Sequence, residues 1–309
     1  MILAVPGIED NFLTLTLFLQ NLSNALANGA VYALMALTVV MIYKTTGHLN
    51  FAQGEMAMFT TFIAWSLTTE HGWSYWPAFV VTLGVAFLGG IGLHRLVIRP
   101  VEGKSVLTIV IVTIGLVLIL NGAATWIWGG EVRTFTDTPF PTRTVDIGGV
   151  AISLADLGTI AVSIGVVLLL WVFFRFTKVG LALRASAINP NESRLVGVRV
   201  SWMLGLGWGL AAVLGAVSGL LAAPTQFVDP NMMQAILIYA FAAAVLGGID
   251  SPAGAVVGGL MLGVGLNLIS TYVDFVGTEL QLPIALLIIL VVLLVRPTGL
   301  FGHAVVKRV

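Results

Sequence analysis

Residues 44–55, KTTGHLNFAQGE, interrupt two apolar runs and gather His48, Asn50, Gln53 and Glu55. These are hydrogen-bonding and ionisable groups, suited to contacting a polar solute or to holding an irregular backbone. Each would be costly facing hydrocarbon. Gly47 and Gly54 allow the chain to leave helical geometry there. Irregular backbone at membrane depth is tolerated only where it is buried in protein or lines a cavity. One reading is therefore a re-entrant element bordering a path or gate, with Asn50, Phe51, Gln53 and Glu55 along it. The other is a plain turn in which Glu55 opens the next helix and complements its dipole.

A second polar island, residues 178–199 (KVGLALRASAINPNESRLVGVR), sets Lys178, Arg184, Arg194 and Arg199 against a single acid, Glu192. Arg175 stands just before it. Its centre predicts a short bounded helix. Asn189 suits the N-cap, Pro190 the first helical position and Glu192 the third place of a capping box. Gly197 suits the residue that ends it. A helix of about two turns is not stable alone in water, so it must rest on something and touch something. Two readings follow: a docking element for another protein, or an ordinary basic loop of a membrane protein.

Catalytic patterns are absent from the sequence. There is no GxxxxGK[ST] phosphate loop, no HExxH and no GxSxG. Cysteine is missing, and His48, His71, His94 and His303 are scattered, so no metal site is expected. Glu55 is the one credible intramembrane carboxylate, fewer than a proton- or sodium-coupled carrier would use. An outside energy source is the expectation, with no cofactor bound by this chain.

The elements that must position these residues are apolar helices. The 309 residues are 58% hydrophobic and 9% charged, against about a quarter charged in a soluble domain. Several apolar runs reach the roughly 20 residues that cross a hydrocarbon core. They are continuously apolar, which disfavours a β-barrel. Formal net charge is zero, so nothing points to nucleic acid. The first residues carry Glu9 and Asp10 without a basic segment, so the first span is expected to direct insertion. The fold class is all-α, a polytopic membrane protein forming one domain over residues 1–309. Nine hydrophobic elements predict about eight to ten crossings, one or two of them discontinuous or re-entrant. The first, residues 12–43, is too long for one straight span, and residues 232–246 suit a half-span. Residues 142–156 predict a hairpin turning near Gly148-Gly149.

Basic residues cluster at Arg95, Arg99 and Lys104, in the island, and at Arg296, Lys307 and Arg308. Acid-rich segments alternate with them: Glu9 and Asp10, Glu70, Glu131 to Asp156, Asp229, and Asp274 with Glu279. The positive-inside rule then places the N-terminus outside and the C-terminus in the cytoplasm. Small residues repeat at helix-packing spacing: Ala211, Gly215, Gly219 and Ala223, then Gly254, Gly258, Gly259 and Gly263. They suit close approach of helices, within the chain or to a partner subunit. A polar interruption with Gln226, Phe227, Asp229 and Asn231 echoes the one at Asn50, Phe51 and Gln53, as paired breaks in transporter halves do.

Residues 28–58, NGAVYALMALTVVMIYKTTGHLNFAQGEMAM, resemble the N-terminal signature of LivH-type permeases, subunits of branched-chain amino-acid ABC transporters. Gln53 stands where that family often has His. GLALRASAINPNESRLVGVRV resembles its coupling loop, with Ser193 where Ala is usual. FAAAVLGGIDSPAGAVVGG and VRPTGLFG are similar to further family motifs. The resemblance implies a bacterial inner-membrane permease for leucine, isoleucine and valine or other hydrophobic amino acids. It implies two ATP-binding cassette subunits, which use the ATP, and a second permease, LivM-like or a second copy. It also implies an extracytoplasmic substrate-binding protein. Residues 178–199 would be the cytoplasmic coupling loop, with Arg184, Ala185, Asn189, Pro190, Glu192, Ser193, Arg194 and Gly197 at the ATPase contact. Related permeases carry urea, short amides or aromatic acids, and a secondary transporter is the remaining alternative.

Overall fold

The computed structural model describes residues 8–135, 138–141, 143–273 and 276–302, and only the backbone of residues 8–14 and 147. Asp137, Asp274, Lys307, Arg308 and His303, and the side chains of Glu9 and Asp10, lie outside the described residues.

α1 is one helix, Ile8–Thr46, of 39 residues. At 1.5 Å per residue it is about 58 Å long. The long first stretch forms one unbroken helix: it contains no proline, and its lone interior glycine, Gly29, lies against Leu260. Its first part is exposed at Leu15 and Leu17, while Leu34, Met35 and Ala36 are fully buried. Loop 47–52 leads to α2, Gln53–Trp65. α3 is Tyr75–Leu93 and α4 is Val106–Trp128. Ser105 begins α4 as an N-cap, its hydroxyl accepting from Thr108 N. The expected hairpin is present as β1, Thr144–Ile147, and β2, Val150–Ser153, with Thr144 opposite Ser153. Gly148 and Gly149 both have positive φ, as its two-residue turn requires.

α5 is Leu154–Phe176, α6 is Lys178–Ile188 and α7 is Pro190–Leu195. α8, Val200–Gln226, is followed by α9, Gln234–Gly247, α10, Pro252–Tyr272, and α11, Gln281–Val295. Among the described residues six helices are long and apolar enough to cross a membrane, and α9 and α11 are shorter apolar helices. The protein is an all-α polytopic membrane protein.

α1 and α8 form the buried centre, and their directions follow from who touches whom. A Cβ on Gly207 would meet Thr45, while Ser218 donates to Val31 O. Rising numbers on α8 pair with falling numbers on α1, so the two run antiparallel. α1 packs on α8, α9 and α10; α8 packs on α1, α2 and α3. α2 also touches α3 and α4, and α9 touches α10 and α11. Exchanging α1–α4 with α8–α11 therefore preserves the packing order. The two halves are inverted, each with a polar break after its first helix, as the sequence echo suggested. α5 to α7 fall between them.

Small residues make this packing possible. A Cβ on Gly259 would lie 2.3 Å from Ala33 Cα, and one on Gly263 2.3 Å from Gly29 Cα. On its other side α10 meets α9, where Gly258 would place a Cβ 2.2 Å from Ala243 O. On α8, Gly219 would meet Thr61 Oγ1, and Gly215 would meet Gln53 Nε2. Both ladders are thus taken up by packing within the chain.

Candidate functional site

The break after α1 is an ordered knot. Gly47 takes φ +74 and its N–H closes α1 onto Tyr43 O at 2.8 Å. Asn50 Oδ1 accepts from Ala52 N at 3.0 Å, which turns the chain into α2. Asn50 Nδ2 donates to Gln53 Oε1 at 3.1 Å, and Gln53 Nε2 donates to Ala211 O at 3.1 Å. Both amides are essentially buried, at 1% and 0% exposure. They tie the start of α2 to α8. Phe51 is half-buried with its ring 5.7 Å from that of Phe241 on α9.

Glu55, in the first turn of α2, turns toward α4. It is buried, and its Oε2 lies 3.5 Å from Asn121 Nδ2. The same amide donates to Pro230 O at 2.8 Å and lies 3.4 Å from Asn231 Oδ1. Asn231 is held in turn by Gln234 Nε2 at 2.8 Å, while its N–H donates to Asp229 Oδ1 at 2.6 Å. One residue of α4 thereby joins the two polar breaks. The helix start adds the positive end of a dipole beside the carboxylate. Such a cluster can bind or pass a polar solute group, or change partners as the helices move. The sequence reading missed Asn121. Its signal was available: a lone amide inside an otherwise apolar span.

The second break carries backbone strain. Phe227 has φ 61 and ψ 171, a region open in practice to glycine alone. It is held there because Val228 exchanges both backbone bonds with Arg133, at 2.8 and 3.0 Å. The Arg133 guanidinium lies 4.4 Å from the Trp65 ring centroid, and Trp65 Nε1 donates to Thr134 O at 3.1 Å.

The island folds as two helices, not one. Thr177 caps α6, its hydroxyl accepting from Gly180 N at 2.9 Å and donating to Phe173 O at 2.7 Å. Gly180 lies so close to Phe173 O, 2.4 Å from an added Cβ, that a side chain has no room. α7 ends in a full Schellman motif: Val198 N donates to Ser193 O at 3.0 Å and Gly197 N to Arg194 O at 3.1 Å, with Gly197 at φ +84. The expected capping box does not form, since Asn189 makes no side-chain cap bond. Asn189 also terminates α6, and its N–H is already donated to Ala185 O at 2.9 Å. The group that Glu192 would have reached is occupied.

Asn189, Pro190, Glu192, Arg194 and Gly197 come together as an exposed knob, with Ala185 exposed on the preceding helix. Ser193 is buried beneath the knob. Arg184 lies apart, over a groove beside Lys44. The knob also carries Leu195 and Val196, 87% and 79% exposed. They were not among the expected contact residues, although two apolar side chains in a polar island were visible in the sequence. Exposed apolar side chains on a small capped helix fit a protein interface.

A bundle of apolar helices around a polar cluster that runs from buried Asn50, Gln53 and Glu55 to exposed Asn231, with a capped helix pair beside it, defines a solute permease. The chain belongs to the family described as branched-chain amino acid transport system / permease component, which matches residues 21–295. It is 30% identical over 308 residues to the high-affinity branched-chain amino acid transport system permease protein LivH of Escherichia coli K12, covering 94% of this chain and 98% of that one. It is 32% identical over 304 residues, with the same coverage, to BraD of Pseudomonas aeruginosa, named for the same system. The probable branched-chain amino acid transport permease protein LivH of Methanocaldococcus jannaschii is 29% identical over 91% of each chain.

Proposed function

We propose that this chain is the permease subunit of an ABC importer that moves branched-chain or other hydrophobic amino acids across the bacterial inner membrane. Two ATP-binding cassette subunits hydrolyse the ATP, and a second permease, LivM-like or another copy, completes the membrane core. An extracytoplasmic binding protein delivers the solute. Basic residues at Arg95, Arg99, Lys104 and around α6–α7 support a cytoplasmic position for that end, with the N-terminus outside.

The observation that carries this reading is the knob at α7, apolar at Leu195 and Val196 and fixed by the Schellman turn at Gly197. A partner that grips it pulls on α8, because α6 and α7 both pack against α8. α8 holds Gln53 through Ala211 O and ends at the break that meets Asn121 and Glu55. Motion at α7 thus reaches the polar cluster through one continuous helix. In this mechanism Asn50 and Gln53 transmit, while Phe51, Glu55, Asn121 and Asn231 border the path or gate.

The test is the double variant Leu195→Asp/Val196→Asp in reconstituted transporter. Both side chains are exposed, so folding is retained, and desolvating two carboxylates at a contact should weaken ATPase retention by about 30-fold or more. Uptake should fall with it. Full ATPase retention and normal leucine uptake would overturn the assignment of α7.

A further inference from the structure

Two of the grooves along α5 differ in charge. One, of about 490 Å³, lies between α3, α5 and α8 and is lined by no charged residue. The other, of about 590 Å³, lies between α1, α5, α6 and α10. Its wall is apolar, with Leu37, Val167, Trp171 and Val256 along it, and its mouth carries Lys44 and Arg184. Among the described residues no carboxylate lines it. Lys44 is in the last turn of α1 and Arg184 is on α6, so two helices that pack together bring two exposed cations to one opening.

An apolar groove alone would not say what covers it. The two cations do. We propose that this groove holds an anionic phospholipid, its phosphate between Lys44 and Arg184 and part of an acyl chain along α5. A phosphate oxygen accepts from both cations, and the chain meets a largely apolar wall. A zwitterionic lipid fills the same wall but brings its own cation to the mouth. A helix of a partner subunit would fill the wall but leave both exposed cations to water unless it also carried an acid facing them. The proposed orientation places this mouth at the cytoplasmic leaflet. Arg184 then acts on lipid beside the docking helix and not on the ATPase directly. Lipid composition would bear on the seat of α6, which packs on both α5 and α8.

Trp171 lines the groove and is 57% exposed, so it reports the occupant. The full chain is placed in phosphatidylcholine nanodiscs and titrated with phosphatidylglycerol or phosphatidylcholine carrying brominated chains. The Trp171 signal is the part of the emission missing from Trp171→Phe. Brominated phosphatidylglycerol should quench that signal at a mole fraction on the order of tenfold lower than brominated phosphatidylcholine. Lys44→Gln/Arg184→Gln should bring the two lipids to within about twofold, since the charge term is removed. Raising salt on the unaltered chain should shrink the preference as well, which needs no variant. Equal quenching by both lipids in the unaltered chain, or a preference that survives the double substitution, overturns the proposal. So does absence of quenching by either lipid, which would mean that no acyl chain enters the groove.

Discussion

A buried amide stabilises a membrane protein only when its donors and acceptors are met, because hydrocarbon offers no substitute. Gln53 meets this condition at both ends: Oε1 accepts from Asn50 and Nε2 donates to Ala211 O. Gln53→Leu keeps the size and removes both bonds, leaving Asn50 Nδ2 without its oxygen acceptor. The cost should be about 1–3 kcal/mol, read as a lower thermal midpoint in detergent; an unchanged midpoint would mean that the knot is idle. The sequence already marked Asn50, Gln53 and Glu55 as polar groups out of place. It did not reveal their division of labour, because the acceptor for Gln53 lies 158 positions away. Asn189 carries the same lesson at short range. Its residue type promised a capping box, yet its N–H had a prior use in ending α6.

Among the elements, α10 has the least freedom. Gly263 sits where an added Cβ would be 2.3 Å from Gly29 Cα, a backbone atom that cannot swing aside. Gly265, two residues on, has nothing within 4 Å. Gly263→Ala should therefore cost about 1–3 kcal/mol through overpacking of α1 against α10. Gly265→Ala should be neutral or stabilise by up to about 1 kcal/mol from helix propensity. Size-exclusion profiles after graded heating would rank the two, and equal behaviour would refute the close approach. The sequence made these ladders visible through four-residue spacing alone. Which helix each ladder faces was not visible, since α1 and α10 meet only when the whole bundle closes. α6 was missed for a different reason. The run of charges drew attention to α7, while the signal for α6 was a single capping threonine, Thr177.

Across the whole molecule, the inverted halves explain why only a faint echo is legible in the sequence. What is preserved between them is the order of packing, and close approach can be met by different residues. In one half Gly90 of α3 would place a Cβ 2.7 Å from Trp208 O of α8; in the other Gly259 of α10 meets Ala33 of α1. An inverted pair starts the two polar breaks toward opposite faces and lets them meet at α4, where half-buried Asn121 joins buried Glu55 to exposed Asn231. The proposed orientation follows from charge bias and is open to a direct check, because the chain contains no cysteine. Val145→Cys, on the β1–β2 hairpin, should react with an impermeant maleimide in intact spheroplasts. Val196→Cys, on the α7 knob, should react only after permeabilisation, and added ATPase subunits should slow that reaction. The reverse pattern would invert the molecule. Labelling of both sites from one face would contradict a spanning α5, because the hairpin and the knob are separated by α5 and must lie on opposite sides if α5 spans. Unchanged labelling of Val196→Cys on adding the ATPase would leave the topology intact and remove α7 from the docking surface, so the two ideas fail separately.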